Sequence, residues 1–301
     1  MELFKEALLI KYTTPVYAIL IGIEMGMSYI HNKHYYTVKD TFTNVYLSVL
    51  NLALDVLVRV FCLFVLNFFF QYHFFEIQNI YAYWIFLFVL QDLAFYFQHR
   101  VDHFSRFFWA VHVTHHSSDY FNLTTGFRSS VFQPLYRYIY FIPLALFGCE
   151  PMDIMLMYSA TQIYGILIHT QYINKLGFLE YFLATPSHHR VHHASNIKYL
   201  DKNMGMVLII WDKIFGTFQK EDDTETIKYG LTKKLQEPHH PIHIVFHEWK
   251  GIVSDMKRKL PLKIKLAYLF MPPGWSHDGS TKTSKQLREE ELNKKQRNEK
   301  E

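Results

Sequence analysis

Residues 47–71 read LSVLNLALDVLVRVFCLFVLNFFFQ, and this run decides the fold class. A helix needs roughly 20 mainly apolar residues to cross a bilayer core about 30 Å thick. Only two charges interrupt the run, Asp55 and Arg59. They stand four apart, on one helical face, where they can pair instead of facing lipid separately.

Working outward, residues 14–30 (TPVYAILIGIEMGMSYI, broken by Glu24) and 80–98 (IYAYWIFLFVLQDLAFYFQ) repeat the pattern. Two further apolar stretches, about 134–148 and 152–173, flank the turn GCEPMD. The first of these is short for a span, so a re-entrant hairpin competes with two full crossings. The expectation is an all-α, polytopic integral membrane protein with about 4–5 membrane segments. The N-terminus, MELFKEALLIKY, has no basic start, long apolar run or small-residue cleavage site, so insertion is expected from retained segments.

Lysine and arginine placement sets orientation. The 72–79 and 148–153 connections carry neither residue, whereas 31–44 carries Lys33 and Lys39, and 99–133 carries Arg100, Arg106 and Arg128. The chain after 174 is rich in both. The basic segments are therefore expected in the cytoplasm and the N-terminus outside, with Lys5 and Lys11 counting against the latter.

Half of the residues are apolar and 18% aromatic, yet mean hydropathy is only −0.02, because the apolar residues precede 174 and the charges follow it. The net charge of +4 is too mild to argue for nucleic acid. Cys62 and Cys149 lie in apolar surroundings and read as small hydrophobes, not as a disulfide framework. Past Trp275, SHDGSTKTSKQLREEELNKKQRNEKE has almost nothing to bury and reads as a solvated tail, helical at most from Gln286.

Ten of the eighteen histidines fall between 99 and 193. HRVDH places His99 and His103 at i and i+4; HVTHH adds His112, His115 and His116 at i, i+3 and i+4; HRVHH repeats that spacing with His189, His192 and His193. Helical spacing of this kind delivers two or three imidazoles from each piece of chain to one point. Eight or nine imidazoles exceed the four donors of one tetrahedral zinc, so two metals fit the count better. Imidazole suits iron, zinc, copper and nickel alike, and a buried hydrogen-bond network is the competing account.

His169, alone in YGILIHTQYI, joins the candidates because it ends the fifth apolar segment on the same side. His188 falls outside the HxxHH frame and is equally a ligand or a supporting group. Asp92 and Asp201 are candidates to receive a ligand's second N–H, whereas Asp102 and Asp119 read as solvated loop acids. His239, His240, His243 and His247 lack the frame and read as surface residues.

FYFQHRVDH, WAVHVTHHSSDYFNLTTGFRSS, ILIHTQYINKLGFLEYFLATPSHHRVHH and LDKNMGMVLIIWDKIFGTF, followed by KYGLT, together resemble the fatty acid hydroxylase superfamily, which includes sterol desaturases. The similarity covers roughly 80–270, and within the superfamily it leans toward enzymes that cleave the ether bond of alkylglycerols. It implies a membrane-bound non-haem di-iron monooxygenase that uses O2 on a lipid C–H bond, at a site facing the cytoplasm. In the ether-lipid case the products are an aldehyde and glycerol, and the reductant is tetrahydrobiopterin. Carried over, the ligands of two irons are His99, His103, His112, His115, His116, His169, His189, His192 and His193.

The alternative on the same scaffold is a sterol or fatty acyl desaturase or hydroxylase fed by a protein electron donor. A zinc hydrolase lacks its HExxH here, and a metal transporter would spread ionisable residues through the spans. The expected organisation is membrane segments in 1–78, a catalytic domain in 79–270 and a charged tail in 271–301. The membrane is the endoplasmic reticulum or a bacterial inner membrane.

Overall fold

The computed structural model describes residues 2–298. Met1 and the tail's last three residues, 299–301, lie outside the described residues. Three long helices come first: α1 (Glu2–Ile30), α2 (Val38–Phe70) and α3 (Ile80–Phe104). Each is long and apolar enough to cross a membrane. Thr37 starts α2 by accepting from the Asp40 N–H, and Asn79 starts α3 by accepting from the Tyr81 and Ala82 N–H groups. Large apolar side chains point outward along them, with Leu57 77% and Phe64 71% exposed. Bare apolar surface on this scale is the pattern of an integral membrane protein.

The fourth and fifth apolar stretches fall short of full spans. A 3-10 segment from Arg137 to Phe141 leads into α5 (Ile142–Leu146), and α6 (Pro151–Leu167) follows. Pro143 and Pro151 open α5 and α6, and Gly148, at φ 86°, turns the chain between them. The pair packs on α2 and α3 through Leu66, Leu87, Phe141, Leu144, Ile154 and Met155, which form the core. Cys62 and Cys149 are buried there as free thiols.

Charges inside this bundle are paired. Arg59 contacts Asp55 at 2.8 Å, as the spacing predicts, and also Glu6 at 2.8 Å; Arg137 hydrogen-bonds Asp55 from the other side. Glu24 of α1 accepts from Tyr36, from the Leu123 N–H at 2.9 Å and from Thr170 at 2.5 Å. It thereby ties the first helix to the loops beside the histidines.

Beyond α3 the helices are short: α4 (Arg106–His116), α7 (Pro186–His192) and α8 (Ile210–Phe215), then α9 (Pro241–Lys257) and α10 (Leu262–Phe270). Among the described residues there is no strand, only two isolated bridges. Arg106 fastens α9 to α4 through Glu248 and Asp255, each at 2.6 Å. The tail forms α11 (Ser284–Asn298), starting near the expected Gln286, and it docks: Arg288 donates to the Leu200 carbonyl at 2.6 Å.

Candidate metal centre

Three helix ends converge. His99 and His103 close α3, His112, His115 and His116 close α4, and α7 carries His189 and His192, with His193 as its C-cap. His169 lies just past the end of α6. Ring nitrogens of His99, His103, His112, His116 and His192 lie within 4.8 Å of one another. Those of His115, His169, His189 and His193 form a second such group.

The two HxxHH motifs divide between the groups. In α4 the i and i+4 residues, His112 and His116, join the first group, while i+3, His115, joins the second. In α7 the i and i+4 residues, His189 and His193, join the second, while His192 joins the first. The groups therefore adjoin, with the rings of His116 and His193 stacked at 4.5 Å between centroids.

The outer nitrogens fix which way each ring faces. Nδ1 of His99 donates to the Met204 carbonyl at 2.8 Å, His115 to Arg128 at 2.8 Å, His169 to Gly165 at 2.7 Å and His192 to Lys202 at 2.9 Å. His103 donates to the Asp201 carboxylate at 3.3 Å. Carbonyls and carboxylates only accept, so in the neutral form of these rings Nε2 carries a bare lone pair. Nε2 of His103 and of His192 are buried with no hydrogen-bond partner.

Within the groups, Nε2 of His99 and His112 are 3.0 Å apart in the first, and Nε2 of His189 and His169 are 2.9 Å apart in the second. Two bare lone pairs at that distance repel, so each pair is held by one proton shared between its nitrogens or by a cation. Ligands at metal–nitrogen bonds of about 2.1 Å stand roughly 3–4 Å apart, which these separations match. The donor set fits one metal ion in each group.

Burial supports the neutral, metal-ready form. It pushes His112, His116, His189, His192 and His193 well below the ordinary histidine range, and neighbouring imidazoles push the same way. His115 is brought down to about 4, again chiefly by burial.

Of the supporting candidates, Asp201 touches a cluster histidine, His103. It holds φ 54°, and Asn203 φ 56°, left-handed positions that Asp and Asn tolerate. Lys202 between them presents its carbonyl to His192. Asp92 is fully buried but commits its oxygens to the Val207 and Leu208 N–H groups, both at 3.0 Å, and to Trp211 Nε1 at 2.9 Å. It fastens the loop that bears Met204, not an imidazole.

His188 belongs to neither group. Its Nδ1 accepts from the Thr185 N–H at 3.3 Å, completing a capping box that starts α7, and its ring packs on Phe218. Asp102, expected to be solvated, is fully buried and accepts from Tyr136 at 2.6 Å and Gln133 at 3.0 Å, 3.9 Å from His112 Nδ1. Burial comes from the 133–136 turn folding over α3, which local sequence does not announce. Asp119, by contrast, is exposed, as expected.

Two supports had no role assigned from sequence, although both lie in the stretches that carry the family resemblance. Asp212, fully buried, accepts from the Met204 N–H at 2.7 Å, the Gly205 N–H at 2.8 Å and Thr217 at 2.6 Å. Arg128, also fully buried, donates to Thr114 O, Ser117, Asp40 and Asn44, fixing the carbonyl that His115 meets.

Two cavities reach the cluster. One of about 700 Å³ touches His103, His116, His192 and His193 and has a mixed lining, charged at Lys233, Lys234 and Glu248 and apolar at Trp109, Val113 and Leu235. His243 and His247 are half-buried in its wall, unlike the exposed His239 and His240. The other, of about 90 Å³, lies against His99, His112, His115, His169 and His189, between Phe95, Met206 and α6.

Comparison with known proteins agrees with this arrangement. Residues 84–217 match the family model for fatty acid hydroxylase. Alkylglycerol monooxygenase of Homo sapiens is 42% identical over 192 residues, covering 64% of this chain and 42% of that protein. An ornithine lipid hydroxylase of Rhizobium tropici is 30% identical, covering 49% of this chain and 45% of its own. A Delta(7)-sterol 5(6)-desaturase of Gibberella zeae is 30% identical, covering 43% and 39% respectively. The matched stretch thus spans less than half of each of these relatives. No solved structure matches the chain.

Proposed function

We propose, from the premise that residues 84–217 form a fatty acid hydroxylase domain, that this chain is a membrane-bound di-iron lipid monooxygenase. The observation that carries the reading is the pair of interleaved nitrogen groups built from nine imidazoles. His99, His103, His112, His116 and His192 would hold one iron; His115, His169, His189 and His193 would hold the other. Two irons there would supply O2 activation and transfer of one oxygen atom to a lipid C–H bond.

The remaining work belongs to the chain. The carbonyls of Met204, Arg128, Gly165 and Lys202, with Asp201, aim five rings and make them better donors. Neutral imidazoles leave metal charge uncompensated, which favours binding of oxygen anions. Phe95 and Met206 screen the smaller cavity from water, and a lipid tail reaches it from the bilayer.

The substrate we favour is an alkylglycerol. Hydroxylation of the carbon beside the ether oxygen gives a hemiacetal, which falls apart to a fatty aldehyde and glycerol. O2 supplies one atom to the product and one to water, so two electrons and two protons must come from a reductant. A tetrahydropterin such as tetrahydrobiopterin fits the alkylglycerol reading, and the larger cavity would give it a route. The similarity to a sterol desaturase supports a second reading, a sterol or acyl lipid oxidised with electrons from a donor protein. We place the cluster on the cytoplasmic face of the endoplasmic reticulum or a bacterial inner membrane. We assign 1–78 to membrane segments, 79–270 to catalysis and 271–301 to a tail.

The test is metal analysis of protein expressed with ample iron, followed by incubation of membranes with an alkylglycerol and a tetrahydropterin. About two irons per chain and release of fatty aldehyde are expected, and His192→Ala should abolish the aldehyde while the protein stays inserted in the membrane. Zinc alone sinks the oxygenase reading. Oxygen use on sterol or acyl lipids without aldehyde selects the second reading.

A further inference from the structure

The smaller cavity holds two polar atoms that the fold leaves without partners. Arg137 Nε and Gln162 Nε2 are buried, donate to nothing within the protein, and belong to residues lining this space. Arg137 is 4% exposed. Its other nitrogens are occupied: Nη1 donates to Tyr158 at 2.7 Å, and Nη2 meets Asp55 and Tyr138. Buried donors are rarely left empty, because each has given up water without a replacement.

Their placement matches a ligand route. Tyr158, Gln162, Gly165 and Ile166 line the cavity at i, i+4, i+7 and i+8, so they form one stripe of α6, and His169 lines it just past the helix end. That stripe runs from Gln162 toward the four-histidine group, a rise of roughly 7–8 Å from residue 162 to the helix end at Leu167. A molecule bound by Gln162 and Arg137 therefore shares one cavity with the imidazoles.

Charge and size then restrict the molecule. Arg137 and Arg59 are balanced by Asp55 and Glu6 within one contact network, so no net positive charge is left to attract an anion. The volume of about 90 Å³ admits roughly three waters at about 30 Å³ each, room for a small polar end but not a phosphodiester head. We infer that Gln162 and Arg137 select lipids whose end carries an uncharged oxygen acceptor, an ether or hydroxyl, over hydrocarbon and over anionic heads. The inference rests on the lipid-oxygenase reading only for the oxidation of the bound lipid; binding itself does not depend on it.

The experiment measures binding of purified full-length protein in phosphatidylcholine nanodiscs, without O2 or reductant. Displacement of a fluorescent alkyl chain compares 1-O-hexadecylglycerol, nonadecane and hexadecyl phosphate. Wild type is expected to prefer the alkylglycerol over both. Gln162→Met, of similar shape, is expected to weaken the alkylglycerol threefold to tenfold, as for one lost neutral hydrogen bond, with nonadecane unchanged. A preference that survives Gln162→Met overturns the assignment. So does wild-type protein that binds the three probes alike, a result that needs no variant to fold. If the preference is present and no lipid is oxidised, only the oxygenase reading fails.

Discussion

Asp212→Asn is the sharpest probe of how the first nitrogen group is held. The carboxylate is fully buried and takes three donors at 2.6–2.8 Å, two of them the N–H groups of Met204 and Gly205. Burial raises its pKa, and those donors oppose the rise by favouring the ionised form. Asparagine keeps one oxygen and turns an NH2 toward a donor, whichever way it is set. Losing one charge-assisted bond and stranding an N–H costs about 3 kcal/mol.

The loss is local, because residues 202–205 also present the carbonyls that receive His192 and His99. Disturbing such supports weakens metal binding by roughly 10–100-fold, here at the five-histidine group alone. The assay is iron release to a competing chelator, with His193→Ala as a second background in which the four-histidine group is disabled. Asp212→Asn should release one of two irons early, and in the His193→Ala background it should weaken the single remaining iron. Equal release of both irons, or wild-type retention in both backgrounds, would refute the reasoning.

Three further outcomes are expected from the same geometry. In Gly205→Ala the new Cβ would lie 2.5 Å from Leu208 O and 3.0 Å from Asp212 Oδ2, so the loop must shift; thermal unfolding should show a loss of about 2 kcal/mol, against none for Gly26→Ala, which has open space. His188→Ala should cost about 1 kcal/mol by removing half of the α7 capping box, yet leave iron content at the wild-type value; iron loss would make His188 a ligand after all. A histidine whose folded pKa is depressed binds a proton more readily when unfolded, so stability is complete above about pH 6.5 and falls as pH drops toward the folded value. His115, brought down to about 4, contributes about 3 kcal/mol to that loss in metal-free protein, and the other depressed histidines add to it, read as midpoint shifts in detergent; a midpoint unchanged between pH 7 and 5 contradicts it.

Local pattern carried the features that depend on few neighbours. Apolar runs announced α1, α2 and α3, and spacing of four announced the Asp55–Arg59 pair. The HxxxH and HxxHH frames announced eight of the clustered imidazoles, since each frame reads directly as a helix face, and His169 was legible from its place at the end of an apolar segment. What stayed hidden depends on distant chain. Arg137 reaches Asp55 from 82 residues away, and Asp102 is covered by a turn that starts near residue 133. The fourth and fifth apolar stretches look alike in hydropathy, and only their packing on α2 and α3 shows one broken short and the other a 17-residue helix. His188 shares the composition of its neighbours, but its place at the third residue of α7 makes it a cap.

The division of α4 and α7 between two nitrogen groups has a mechanical consequence. Neither helix can turn or slide without moving donors in both groups, two in one and one in the other. A ligand that nudges either helix from one cavity therefore changes the fit of ions at both positions together, with opposite weighting. The two positions behave as one instrument strung on shared pegs, and a substitution that tunes one detunes its neighbour.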